Sequence, residues 1–173
     1  MSMTDLAKTL PDYAKDLRLN MSSLLNETVL TDQQKYGTLL ASAITAGHLP
    51  TIAAAEAEAS AKLSPEAVNA AKAAAAIMAM NNIYYRFGHL ASNKEYSKMP
   101  AKLRMNVIGA PGIEKADFEL FSLAVSAINA CGLCVDSHEK VLAQHGVRPE
   151  VVQAAVRLAS VTVAVAHTLR AIA

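Results

Sequence analysis

An all-α fold is what this sequence predicts, on three observations. The apolar fraction is 53%, much of it alanine, beside only 7 glycines and 5% aromatics, which suits closely packed helices. Helix starts and stops recur along the chain as capping residues, prolines and glycines in the right order. No segment alternates polar and apolar residues over a strand's length.

Residues 4–10 and about 11–25 read as two short helices, with Pro11 suited to a first turn and Leu17, Met21, Leu24 and Leu25 forming a packing stripe. Thr31-Asp32-Gln33-Gln34 has capping-box spacing and opens a helix that Gly47 ends. Pro50 starts the next, through about residue 62, and Ser64-Pro65-Glu66 caps a third that continues to residue 84 or 85. Over 86–100 the pattern dissolves among Gly88, Ser92, Asn93 and Ser97, so a loop is expected. A short helix is expected over 101–108, then a turn at Pro111-Gly112. Helix returns over 115–129, over 131–145 with Gly146 as its stop, and from Pro149 to the end.

A chain of 173 residues suits one domain, 1–173, able to bury a real core. With 16 Lys and Arg against 15 Asp and Glu there is no basic field to hold nucleic acid or anionic lipid. The first residues lack the apolar core of a secretory signal, and no run of about 18 apolar residues is seen, so no membrane contact and a soluble, cytoplasmic protein are expected. In a reducing compartment a lone Cys-x-x-Cys pair is catalytic or metal-binding rather than a structural staple.

Sliding the chain on itself by 84 residues lays 39–77 over 123–161 without a gap, and the same helix–turn–helix–turn–helix order recurs in units of about 32–85 and 116–173. Ser42-Ala43-Ile44 falls on Ser126-Ala127-Ile128, and Pro65-Glu66 on Pro149-Glu150. The copies differ where chemistry is possible: Gly47 stands for Cys131, Pro50 for Cys134, Ala54 for His138 and Lys35 for Glu119. Only the second copy carries reactive groups.

Cys131, Cys134 and His138 lie at i, i+3 and i+7 of one helical face, the spacing of a redox dithiol with a proton carrier beside it. A helix beginning at Cys131 would put both sulfurs in a first turn whose unpaired N–H groups favour thiolate. On one unbroken helix Glu119 would lie about 28 Å from His138, but a reversal near Ala130 leaves an axial offset of a few ångströms. A carboxylate there would orient the imidazole. A zinc site competes, since Cys-x-x-Cys-x-x-x-His supplies three ligands, but a closed site needs four and no second cluster is evident. His48, His89, His145 and His167 have no such company; Tyr84, Tyr85 and Phe87 read as core or interface, and Met78 and Met80 as packing.

With these residues in place the chain resembles the AhpD-type alkylhydroperoxidases of the carboxymuconolactone decarboxylase superfamily. The likeness runs through Leu10-Pro11-Asp12-Tyr13-Ala14-Lys15-Asp16, Gly37-Thr38-Leu39-Leu40-Ala41-Ser42, Ala76-Ile77-Met78-Ala79-Met80-Asn81-Asn82 and Leu103-Arg104-Met105-Asn106-Val107-Ile108. It is strongest at Phe118-Glu119-Leu120 and the segment ending in Cys-x-x-Cys-x-x-x-His. The resemblance implies an all-helical homotrimer that reduces organic hydroperoxides and regenerates the peroxiredoxin AhpC. Electrons would come from a lipoylated acyltransferase subunit kept reduced by dihydrolipoamide dehydrogenase, with no metal or tightly bound cofactor. It further implies that Cys134 forms the sulfenic acid or mixed disulfide, that Cys131 closes the disulfide, and that His138 and Glu119 serve the proton relay. Leu133 departs from the family, whose best-known members have a histidine there; a cation beside the sulfur and one relay member are missing, so weaker peroxide turnover is expected. Two other readings remain: a decarboxylase-type relative with an acid/base site, and a redox-sensing or scaffold protein whose dithiol does not turn over.

Overall fold

The structure, a computed structural model, describes residues 1–172 and places eight α-helices in them, with no strand. They are α1 Met3–Lys8, α2 Lys15–Asn26, α3 Asp32–Ala46, α4 Leu49–Lys62, α5 Pro65–Leu90, α6 Lys115–Ile128, α7 Gly132–Gln144 and α8 Pro149–Ala171. Single 3-10 turns cover Asp12–Ala14, Tyr96–Lys98 and Asn106–Ile108. The all-α expectation holds.

Local chemistry sets most boundaries. Thr31 accepts from the Gln34 backbone N–H while the Gln34 side chain accepts from Thr31 N–H, the complete capping box, and Gly47 ends α3 at φ 71°. Ser64 caps α5 and Pro65 occupies its first position. Two expectations fail between α5 and α6. α5 does not stop at residue 85 but runs to Leu90, because one interior glycine, Gly88, costs only about 1 kcal/mol and Arg86 is anchored on the Asn129 carbonyl. Instead of a helix over 101–108 only the turn Asn106–Ile108 forms, since Lys102 adopts a left-handed φ of 54° that breaks helical propagation.

α3, α5, α6 and α8 surround the core, which contains Leu39, Leu40, Met78, Phe118, Phe121, Leu123, Leu158 and Val165. α8 is long and apolar enough to cross a membrane by length and composition, where no such run was expected. It packs along α2, α3 and α6 and buries Val151, Leu158, Val165 and Leu169 in that core. Lys35, at the position matching Glu119, braces the fold instead of serving chemistry. Its buried ammonium donates to the Leu25 and Glu27 carbonyls at 2.8 and 2.6 Å, where α2 ends.

The chain reverses between α6 and α7. Cys131 N–H donates to Ser126 O at 3.1 Å and Ala130 N–H to Ala127 O at 3.2 Å, the Schellman pair, with Ala130 left-handed at φ 54°. Glycine is the usual occupant of that position, and alanine there costs about 1–2 kcal/mol. The Ala130 side chain is exposed, so Ala130→Gly gives up no packing. Against the larger unfolded-state entropy of glycine, the variant is expected to be more stable by about 0.5–1 kcal/mol, read as a higher urea midpoint. An equal or lower midpoint would contradict the strain.

Candidate active site

The reversal brings the end of α6 and the start of α7 side by side. Cys131 is the N-cap of α7 and Cys134 lies in its first turn; the two are joined as a disulfide with Cα atoms 5.3 Å apart. The N-terminal N–H groups of α7 lack helical partners and point toward this end, which favours negative charge on a sulfur released by reduction. Cys131 is fully buried, whereas Cys134 is 6% exposed and lines a cavity of about 490 Å³. An incoming reagent meets Cys134.

His138 follows one turn after Cys134 and lines the same cavity. Its Nδ1–H donates to Glu119 Oε2 at 2.5 Å, since an ionised carboxylate only accepts; this leaves Nε2 as the basic nitrogen of the neutral ring, 3.2 Å from Met78 Sδ. Glu119 is 2% exposed, and its other oxygen, Oε1, accepts from Lys115 Nζ at 2.7 Å. Burial pushes the Glu119 carboxyl up, but the hydrogen bonds and charges of His138 and Lys115 together outweigh it and hold the group below its ordinary value. The carboxylate therefore stays ionised in a largely apolar setting. Lys115 Nζ also donates to Ile108 O at 2.5 Å, tying the segment before α6 to the site.

The break itself is pinned from α5. Asn82, fully buried, donates through Nδ2 to Ser126 Oγ at 2.9 Å and accepts at Oδ1 from Asn129 Nδ2 at 3.0 Å. Arg86 Nη1 donates to the Asn129 carbonyl at 2.5 Å. These contacts fix the last turn of α6 and so the height at which the dithiol starts.

All four residues singled out in the sequence, Cys131, Cys134, His138 and Glu119, thus come together. Four neighbours were missed. Met78, read as packing, touches the imidazole, and Tyr85, read as core or interface, lines the cavity with Asn81. Lys115 carried a signal, its i,i+4 spacing to Glu119; the α5 residues carried none, because their contact with α7 is long-range. Leu133 stands 48% exposed on the cavity rim, without charge. Among the described residues no three His, Cys, Asp or Glu side chains converge as metal ligands.

A family profile described as the carboxymuconolactone decarboxylase family matches residues 94–173. A protein of Rhizorhabdus wittichii named alkyl hydroperoxide reductase AhpD is 68% identical over 166 residues, 96% of either chain. Proteins of the same name from Hyphomonas neptunium and Maricaulis maris are each 61% identical over 171 residues, which is 99% of this chain and 95% and 99% of theirs.

Proposed function

Because the chain belongs to the AhpD family of alkyl hydroperoxide reductases, we propose that it reduces organic hydroperoxides by cycling Cys131 and Cys134 between dithiol and disulfide. The observation that carries this reading is a dithiol at a helix N-terminus opening on a cavity that also presents the Glu119–His138 pair.

In the reduced state His138 takes the proton of the Cys134 thiol, Glu119 holding the ring with Nδ1–H toward the carboxylate. The thiolate attacks the terminal oxygen of the hydroperoxide and the O–O bond breaks. Cys134 becomes a sulfenic acid, and the departing alkoxide takes the proton from His138 to leave as alcohol. Cys131 then attacks the Cys134 sulfur; an S–S bond forms, and the displaced hydroxide leaves as water with the Cys131 proton. Two thiols and one hydroperoxide give one disulfide, one alcohol and one water. A dihydrolipoyl dithiol reopens the bond by attacking Cys134, passing through a mixed disulfide as Cys131 departs.

The same dithiol serves the peroxiredoxin AhpC by reducing its disulfide, with a lipoylated acyltransferase subunit and dihydrolipoamide dehydrogenase upstream and the cytoplasm as the compartment. Assembly as a homotrimer has support in Leu49, Ile83, Phe87 and Leu90, which leave 78, 65, 52 and 71% of their surface exposed in a single chain. Leu133 supplies no cation beside Cys134, so peroxide turnover falls below that of relatives with histidine at this place.

The test is consumption of an organic hydroperoxide with dihydrolipoamide as reductant. Wild type is expected to turn over and Cys134→Ser to fall to background, whereas peroxide-oxidised Cys131→Ser given a monothiol, which has no second sulfur to resolve the bond, holds a Cys134 mixed disulfide visible as an added mass. Activity surviving Cys134→Ser would overturn the proposal. Catalysis that survives alkylation of both thiols would instead favour acid/base chemistry of the decarboxylase kind.

A further inference from the structure

Two adjacent asparagines on α5 face different surroundings. Asn82 has both ends of its amide engaged, by Ser126 and Asn129. Asn81 is 4% exposed and lines the dithiol cavity, yet its amide has no oxygen or nitrogen partner among the described residues. Oδ1 is enclosed by protein without a hydrogen bond. Nδ2 meets only the thioether of Met105, 3.7 Å away, and Met105 lines the same cavity. A thioether is a weak acceptor, and it occupies at most one of the two N–H groups.

A buried amide left this way costs stability, and a leucine of similar shape would avoid the cost. Oδ1 is sealed off from the cavity, but the N–H groups left to a weak thioether contact gain a strong acceptor if one arrives with the substrate. The cavity around it supplies the thiolate of Cys134 and the base His138. Its other neutral donors are the hydroxyls of Tyr85, half-buried, and Ser137, exposed, both within reach of solvent; the Asn81 amide is the buried one that can face the oxygen on which negative charge grows as the O–O bond breaks. Glu119 accepts only, and its partner Lys115 spends two of its three N–H groups on Glu119 and Ile108.

We infer that Asn81 is a substrate-contacting donor: its Nδ2–H bonds the alkyl-bearing oxygen of the bound hydroperoxide and stabilises it as the alkoxide forms. The inference rests on the hydroperoxide reductase reading and adds a residue to it. The electron pair of the O–O bond goes to that oxygen, the terminal oxygen goes to Cys134 sulfur, and the proton comes from His138. Asn81 transfers nothing. It contributes a fixed dipole where charge develops, which acts most strongly in a site shielded from water.

Reduced Asn81→Leu and Asn81→Ala enzymes test this in single-turnover oxidation by tert-butyl hydroperoxide, beside their reaction with a small aromatic disulfide, which forms no alkoxide. Both variants are expected to lose about a hundredfold in the hydroperoxide reaction and to keep the wild-type disulfide rate. The loss should be smaller with a peroxyacid, whose carboxylate leaving group needs less help. Wild-type hydroperoxide rates in both variants would overturn the inference. So would equal losses toward hydroperoxide and disulfide, which mean that Asn81 only holds the fold. A wild-type enzyme that reduces the disulfide but no hydroperoxide would instead sink the reading beneath it.

Discussion

Glu119→Gln is expected to slow hydroperoxide reduction by about 10²- to 10⁴-fold, the range lost when a positioned acid–base pair is disabled. The carboxylate is buried, accepts from His138 Nδ1–H and Lys115 Nζ at 2.5 and 2.7 Å, and selects the ring tautomer that leaves Nε2 to work as base. A glutamine keeps the volume and one acceptor, but it turns an N–H₂ toward Lys115 or His138 and removes the charge. Stability should fall too, by about 1.5–3 kcal/mol, the worth of one charge-assisted hydrogen bond.

The pH dependence has a definite sign. Glu119 binds its proton less readily when folded than at its ordinary value of 4.5, so the unfolded chain holds more protons in mild acid. Its stabilisation is complete above the unfolded value and is lost as pH falls through the lower folded one. Wild type should therefore lose part of its stability below about pH 4.5, and Glu119→Gln should lose less over the same interval. Urea midpoints at pH 7 and pH 4 give the comparison; parallel declines would contradict the assignment. The catalytic loss is separable, since Glu119→Gln should be slow at pH 7, where folding is not limiting.

What the sequence discloses is local. The capping box at Thr31, proline at the start of α5 and glycine after α3 act through residues three or four apart, and each can be read from spacing alone. The meeting of Glu119 and His138 follows from a break at the dithiol and nearly equal counts on either side of it. The break is made by alanine rather than glycine, with Ala130 held left-handed by the Schellman bonds and by Asn82 and Arg86 from α5. Nothing in residues 125–135 announces those supports. Asn81, Met78 and Tyr85 reach the site across a helix crossing, a distance no periodicity encodes, so the third wall of the cavity was hidden while two could be read.

Gly37→Ala is expected to destabilise the protein against what helix propensity alone dictates. Gly37 sits inside α3, where alanine would ordinarily add up to about 1 kcal/mol. A Cβ built there lies 2.1 Å from Phe121 Cζ and 2.5 and 2.7 Å from its two Cε atoms, well inside contact distance. Phe121 is fully buried on α6, so the ring has no open space to turn into and the two helices must part. Overpacking of this kind costs about 1–3 kcal/mol after relaxation, enough to reverse the propensity gain. Because α6 also carries Glu119, two residues before Phe121, and ends at the dithiol, the folded fraction of Gly37→Ala should also reduce hydroperoxide more slowly. Adding Phe121→Leu removes the clashing ring and should recover stability in the double variant relative to the sum of the single changes. A Gly37→Ala protein more stable than wild type would mean that α3 and α6 do not approach this closely, and the height of Glu119 against His138 would lose its support.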